Sequence, residues 1–113
     1  MIITKKSPYT KEELTQLEEQ FEIYIKTVID LETSTCSAGC DLHADSEKLL
    51  LQQGSYQNNL WGGGINTETK EIDFNSFINI RPDQKNTTIE IQSPEIKEAF
   101  EKQMKIFFKE LYE

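Results

Sequence analysis

The sequence predicts an α+β fold in which an antiparallel β-sheet of about five strands is packed by an N-terminal and a C-terminal helix. An amphipathic run with a helix-capping signature stands near the start, and a second stands near the end. Between them lie short β-prone segments separated by turn residues. A length of 113 residues fits one core, so we expect a single domain over residues 1–113.

The first helix is predicted from a capping box and a helical spacing of apolar residues. The Thr10 hydroxyl can accept from the third helical N–H, and Glu13 can reach back to the cap. The steps of three and four place one apolar face along the helix, at Leu14, Leu17, Phe21, Tyr24, Ile25 and Val28. We therefore expect a helix from residue 11 to 26 or 28, preceded by a short strand at Ile2 and Ile3.

The middle of the chain is predicted to be mainly extended. Residues 27–33 are β-rich, and residues 34–40 are small and polar, which predicts a loop. Residues 42–44 and 48–52 are interpreted as two strand pieces, followed by a hairpin turn at residues 53–55.

A return strand is expected over residues 56–61. Three glycines at 62–64 interrupt its pattern, which resumes at residues 65–66. A polar turn at residues 67–70 precedes the longest predicted strand, residues 71–81, in which Phe74, Ser76, Ile78 and Ile80 share one face.

Pro82 stops that strand because it has no N–H to donate. Residues 83–88 are predicted to form a polar loop, and residues 89–91 are predicted to form a short edge strand. The last helix begins with Ser93 as N-cap and Pro94 in the first helical position. Its buried stripe is predicted at Ile96, Ala99, Phe100, Met104, Phe107, Phe108 and Leu111.

The chain is acidic, with a net charge of −8 and a pI near 4.7. This charge argues against nucleic-acid partners and anionic membrane surfaces. No apolar run approaches the length of a membrane span, and the first residues do not resemble a signal peptide. Two cysteines make no disulfide framework, so we expect a cytoplasmic protein with reduced thiols.

Three residue types occur once each: His43, Trp61 and Arg81. If the chain is extended at His43, then Asp45 and Glu47 point the same way as the imidazole. A neighbouring carboxylate fixes the tautomer of a general base or of a metal ligand. The alternative is a polar strand face without chemistry.

Cys36 and Cys40, with His43, could supply zinc ligands. No second Cys/His pair stands elsewhere in the sequence, and the alternative is that both cysteines are small loop or core residues. A Cys–His nucleophile pair is a further alternative. We favour no metal, and we predict no cofactor.

Gly62 and Gly63, beside Trp61, would form a bulge or let a backbone or ligand approach closely. Trp61 would stack on a ligand or fill the core. In the predicted strand 71–81, the face opposite Phe74 carries three polar residues, Asn75, Asn79 and Arg81. The guanidinium would bind an anion or pair with an acidic residue of the sheet.

The motifs Leu-His-Ala-Asp at 42–45, Leu-Trp-Gly-Gly-Gly at 60–64 and Ile-Asn-Ile-Arg-Pro at 78–82 resemble a family of small prokaryotic proteins catalogued as a domain of unknown function. The resemblance covers roughly residues 25–108. It implies a stand-alone cytoplasmic protein and implies no activity. In such proteins the loop before His43 is small and glycine-rich without a need for cysteines, which weighs against a cysteine metal site.

The leading hypothesis is a binding module with a polar pocket on the sheet face. Its target would be a small polar or anionic ligand or a protein partner. One alternative is a small hydrolase or lyase with His43 as general base and Arg81 as anion stabiliser. Another is an accessory or antitoxin-like partner protein, and a homodimer would suit any of these. Whether the chain is an enzyme is left open.

Overall fold

The computed structural model describes residues 1–112, so Glu113, the last residue of the predicted domain, lies outside the described part. The fold is α+β, as predicted. Five antiparallel strands form one sheet in the order β1-β3-β2-β4-β5. The strands are β1 Ile3–Lys5, β2 Tyr24–Asp30, β3 Thr35–Ala38, β4 Leu60–Asn66 and β5 Ile72–Asp73. The helices are α1 Lys11–Gln20, α2 His43–Gln52 and α3 Pro94–Phe107.

The two faces of the sheet are covered by different helices. Alternate residues of β2 belong to different cores, with Ile25 and Ile29 on one side and Val28 on the other. The larger core joins the sheet to α1 and α3, while Val28 joins α2 through a smaller cluster with Leu50 and Leu60. The predicted N- and C-terminal helices therefore share one face, and α2 packs on the other together with the segment around Ile78.

The capping box of α1 is confirmed, but the helix ends earlier than predicted. Thr10 accepts from the Glu13 N–H, and the Glu13 carboxylate accepts from the Thr10 N–H. The helix stops at Gln20, and the extended strand β2 begins at Tyr24. Residues from Tyr24 onward pair with β4, and those from Thr27 onward pair also with β3, so sheet pairing overrides the continuing helical spacing.

The predicted loop at 34–40 is wrong, because residues Thr35–Ala38 form β3. All four are buried, and the strand pairs with β1 and β2. The turn before it is closed by Asp30, whose carboxylate accepts from the N–H groups of Glu32 and Thr33. Small polar residues fit here because Ser37 donates to Ser46 of α2 at 2.8 Å.

The two strand pieces predicted around His43 are wrong, because this stretch is helix α2. Ser46 and Leu50 are the buried residues, and their spacing of four is helical. The consecutive leucines at 49–51 favoured a strand in the sequence. Only one of them, Leu50, is fully buried.

The glycines at 62–64 do not interrupt the strand, since they lie inside β4. A Cβ at Gly63 would collide with the Asp73 carbonyl and the Phe100 ring. The absence of side chains thus lets β5 and α3 approach β4 closely.

The long strand predicted at 71–81 is also wrong. Only Ile72–Asp73 is strand, and 3₁₀ turns follow at Phe77–Asn79 and Pro82–Gln84. Ser76 caps the first of these turns by accepting from the Ile78 N–H. The predicted edge strand at 89–91 is reduced to an isolated bridge between Asn75 and Glu90.

The last helix begins as predicted, with Ser93 as N-cap and Pro94 first. Its buried residues are Phe100, Met104 and Phe107. None of the helices in residues 1–112 is long and apolar enough to cross a membrane.

Candidate functional site

An open pocket of about 460 Å³ lies on the face of the sheet that α2 covers. Its walls come from β2, from the start of α2 and from the segment around the Phe77–Asn79 turn. The walls are mostly apolar, with Leu42, Phe77 and Ile89 exposed at the rim. Pockets of this size and character commonly hold small molecules.

His43 stands in the pocket wall as the first residue of α2. Its Nε2 lies 2.7 Å from the carbonyl oxygen of Gly63. A carbonyl only accepts, so Nε2 carries the proton in this contact and Nδ1 is the unprotonated nitrogen of a neutral ring. Burial lowers the pKa of His43, which favours that neutral form.

Gly62 has no side chain, and this lets His43 lie close to strand β4. A Cβ there would lie 2.7 Å from the Ser76 Cβ and 3.2 Å from the His43 Cδ2. The glycine therefore lets the imidazole and the Ser76 segment both pack against β4, which brings two walls of the pocket together.

Lys26 and Tyr24 project from β2 toward the same pocket. The Lys26 Nζ lies 5.9 Å from the centroid of the Tyr24 ring. The Tyr24 hydroxyl lies over Gly64, where a Cβ would collide with it. Burial, with a smaller effect of nearby Asp73, raises the pKa of the Tyr24 phenol, which stays protonated.

Arg81 and Trp61 are not part of this pocket. Arg81 is 6% exposed, and its guanidinium lies 4.2 Å from the centroid of the Trp61 ring. It donates to the carbonyls of Gln57, Ile78 and Leu60 and to the Gln84 side chain. Trp61 packs in the larger core, on the opposite face of the sheet from His43.

The common wall expected from strand alternation therefore does not form. The prediction assumed extended backbone at 42–47 and at 71–81. Residues 43–47 belong instead to α2, and in 71–81 the strand covers only Ile72–Asp73 before the 3₁₀ turn at Phe77–Asn79. His43 and Arg81 do not lie in one site, which the hydrolase or lyase hypothesis requires. The guanidinium's donors are directed to protein acceptors.

The remaining predicted residues are scattered. Asn75 lines the pocket, and Gly62 and Gly63 lie beneath His43. Asp45 is exposed on α2, outside the lining, and half-buried Glu47 accepts from Gln57 at 3.4 Å.

Asn79 is fully buried as a bracing residue. Its Oδ1 accepts from the Gly62 N–H at 2.9 Å. Its Nδ2 lies within 3.1 Å of the carbonyl oxygens of Gly62, Phe74 and Ile89.

The two cysteines are buried free thiols. Burial raises the pKa of both, that of Cys36 to about 12. Cys36 packs in the larger core, on the other side of the sheet from His43. Within residues 1–112, no three His, Cys, Asp or Glu residues are grouped as a metal site would need.

Sequence reasoning missed the pocket residues Lys26, Tyr24 and Phe77. The predicted first helix includes residue 26, whereas the observed helix ends at Gln20. The signal that could have found it is a lysine inside the β-prone run Tyr24–Asp30.

Together, the sheet, its two unequal cores and the pocket beside α2 define a small α+β protein with an open pocket on a sheet face. The chain belongs to the family described as "Protein of unknown function (DUF5674)", whose model matches residues 1–107. This match confirms the resemblance to a domain of unknown function. No curated protein and no solved structure matches the chain.

Proposed function

We propose that this protein is a binding module that holds a small, mainly apolar molecule in the pocket beside α2. The observation that carries the proposal is the open, largely apolar cavity in which His43, Lys26 and Tyr24 supply a few polar groups. Ligand sites combine an apolar wall with a small number of polar groups that fix orientation.

The exposed rim supports this function. Phe77 is 83% exposed and Leu42 is 63% exposed, although both are large apolar side chains. A ligand lying between them would remove apolar surface from water, which stabilises a complex by about 25 cal/mol per Å² buried, before the costs of association.

The floor of the pocket is already ordered. His43 is fixed to Gly63, and Asn79 braces Gly62 from the neighbouring segment. A site that needs little reordering keeps more of its interaction energy as affinity.

The test uses indole, a neutral apolar probe, followed by amide NMR signals. We expect saturable shifts centred on residues 42–44 and 75–78. Ala44→Trp places a large side chain in the pocket and should abolish them. Gln52→Trp, an exposed position at the other end of α2, is the matched control and should leave them intact. Shifts that do not saturate, or that survive in Ala44→Trp, contradict the proposal.

A second candidate is self-association through the same rim, as in a homodimer or a partner protein. The exposure of Leu42, Phe77 and Ile89 on one side favours it. Sedimentation of the natural protein and of Phe77→Ser distinguishes the two. A dimer that is lost in the variant supports this second candidate, and a monomer at about 100 µM in both excludes stable pairing.

We also propose a cytoplasmic location. Its support is that both cysteines are free and buried, whereas small proteins of oxidising compartments commonly pair theirs.

A further inference from the structure

We infer that the ligand of this pocket is a monoanion, a carboxylate joined to an apolar body, and that Lys26 receives its charge. The inference rests on the proposed function and specifies the chemistry of its ligand. It is carried by the charge distribution around the cavity.

The cavity departs from the charge of the rest of the molecule. The chain holds 20 acidic and 12 basic residues, for a net charge of −8. None of the residues lining the pocket is acidic, and one of them is Lys26. A site without carboxylates in an acidic protein avoids repelling an anion, which is electrostatic complementarity.

Lys26 has no ion-pair partner within residues 1–112. The three ion pairs found there use Lys5, Lys11 and Lys97. Asp73 lies near the pocket residue Tyr24, where it helps to raise the pKa of the phenol, but it forms no ion pair with Lys26 and is outside the lining. Asp41 and Asp45 flank the start of α2, but both are exposed and outside the lining. A half-buried ammonium beside apolar walls thus lacks the counter-charge that an anionic ligand would bring.

Among the polar groups of the pocket, Lys26 is the one that carries a positive charge for an anionic ligand. The His43 ring is neutral at pH 7 and presents a lone pair at Nδ1, so it adds no positive charge. The start of α2 contributes to the same field, because Leu42 provides no side-chain cap for its first N–H groups.

One cation and apolar walls suit a single negative charge on an apolar body. A phosphate dianion, by contrast, calls for several converging donors. An aromatic or aliphatic monocarboxylate matches both features, with its carboxylate at Lys26 and its body between Leu42, Phe77 and Ile89.

The test compares 2-naphthoate with 2-naphthamide, which share a ring system and differ in charge. Titrations at pH 7.5 and low salt should show the carboxylate binding about fivefold more tightly, as one partly exposed charge pair allows. Lys26→Met should remove the preference, and Lys26→Arg should retain it. Lys48→Met, which removes an exposed lysine of α2 outside the lining, is the control and should leave the preference unchanged.

The outcomes separate this inference from the proposed function. Equal affinity for both compounds, with both lost in Ala44→Trp, overturns the anion inference and leaves the binding pocket standing. A preference that persists in Lys26→Met overturns the role of Lys26. Failure of both compounds to shift the pocket signals contradicts the proposed function itself. The NMR spectrum of each variant shows whether its fold is intact.

Discussion

At the scale of single residues, rarity in the sequence did not predict which side chains lie together. His43, Trp61 and Arg81 each occur once, yet only His43 lines the pocket. Arg81 stacks on Trp61 and donates hydrogen bonds to three backbone carbonyls. Sequence could identify these residue types but not their orientation, because orientation depends on whether the local backbone is strand, helix or turn.

Asn79 gives the sharpest stability prediction. Its buried amide bonds both the N–H and the carbonyl of Gly62, so truncation leaves buried backbone groups without partners. We expect Asn79→Ala to lower the free energy of unfolding by about 3 kcal/mol, measured by urea titration. Asn58→Ala, an exposed position, is the control and should change it by less than about 0.5 kcal/mol. Similar effects of the two substitutions would contradict the bracing role.

His43 predicts a pH dependence of stability. Burial holds its pKa below the unfolded value of about 6.5, so between those two values the unfolded chain binds more protons. Its contribution is therefore complete above the unfolded pKa and is lost as the pH falls toward the folded pKa. Melting temperatures at pH 7.5 and 5.0 should show a decrease that is smaller in His43→Gln.

Acidic groups do not produce the same effect in that window. Lys5 holds the pKa of Glu13 below its usual range. The contribution of Glu13 persists above the unfolded value of about 4.3 and is lost only below it. An equal decrease in His43→Gln and the natural protein would show that burial of the imidazole is not responsible.

At the scale of elements, helix starts that have a side-chain cap were predictable, whereas the bounds of the extended segments were not. Thr10, Glu13, Ser93 and Pro94 act through local chemistry, and all take their predicted capping positions. The sequence around α2 lacks a cap, since Leu42 offers no side-chain acceptor. The segment after β5 is instead organised by non-local bonds from Asn79, which no periodicity reveals.

Gly63 tests the close approach of β5 and α3 to β4. A Cβ at Gly63 would collide with the Asp73 carbonyl and the Phe100 ring, so Gly63→Ala must displace β5 or α3 from β4. We expect a loss of about 3 kcal/mol or more, or failure to fold. Gly54→Ala is the comparison, because its added Cβ meets nothing within 4 Å and only the φ of +103° is unfavourable. That variant should lose about 1 kcal/mol in the same denaturation experiment. A mild effect at Gly63 would contradict the tight packing.

At the scale of the whole molecule, the sheet divides two cores of unequal size. The smaller core consists of Val28, Leu50 and Leu60. The larger core joins α1 and α3 to the sheet and contains several aromatic rings. The spacing of apolar residues and the capping signatures predicted the α+β class and both outer helices. The third helix and the division of the core were missed, because a short helix and a buried strand share similar apolar runs.

This asymmetry predicts where the protein opens first. Fewer apolar contacts hold α2, so its amides should exchange with solvent at least about tenfold faster than those of β2 and α3. Native-state hydrogen exchange followed by NMR gives the comparison. Equal protection in all three elements would show that the two faces unfold as one unit.

The seclusion of Trp61 makes the single indole an internal reporter. At 2% exposure on the far side of the sheet, its emission senses whether the interior is intact, and it stays remote from whatever occupies the opposite surface. Tyr24, by contrast, lines the pocket beside α2. The emission of the single tryptophan can thus report the integrity of the interior separately from binding at the pocket.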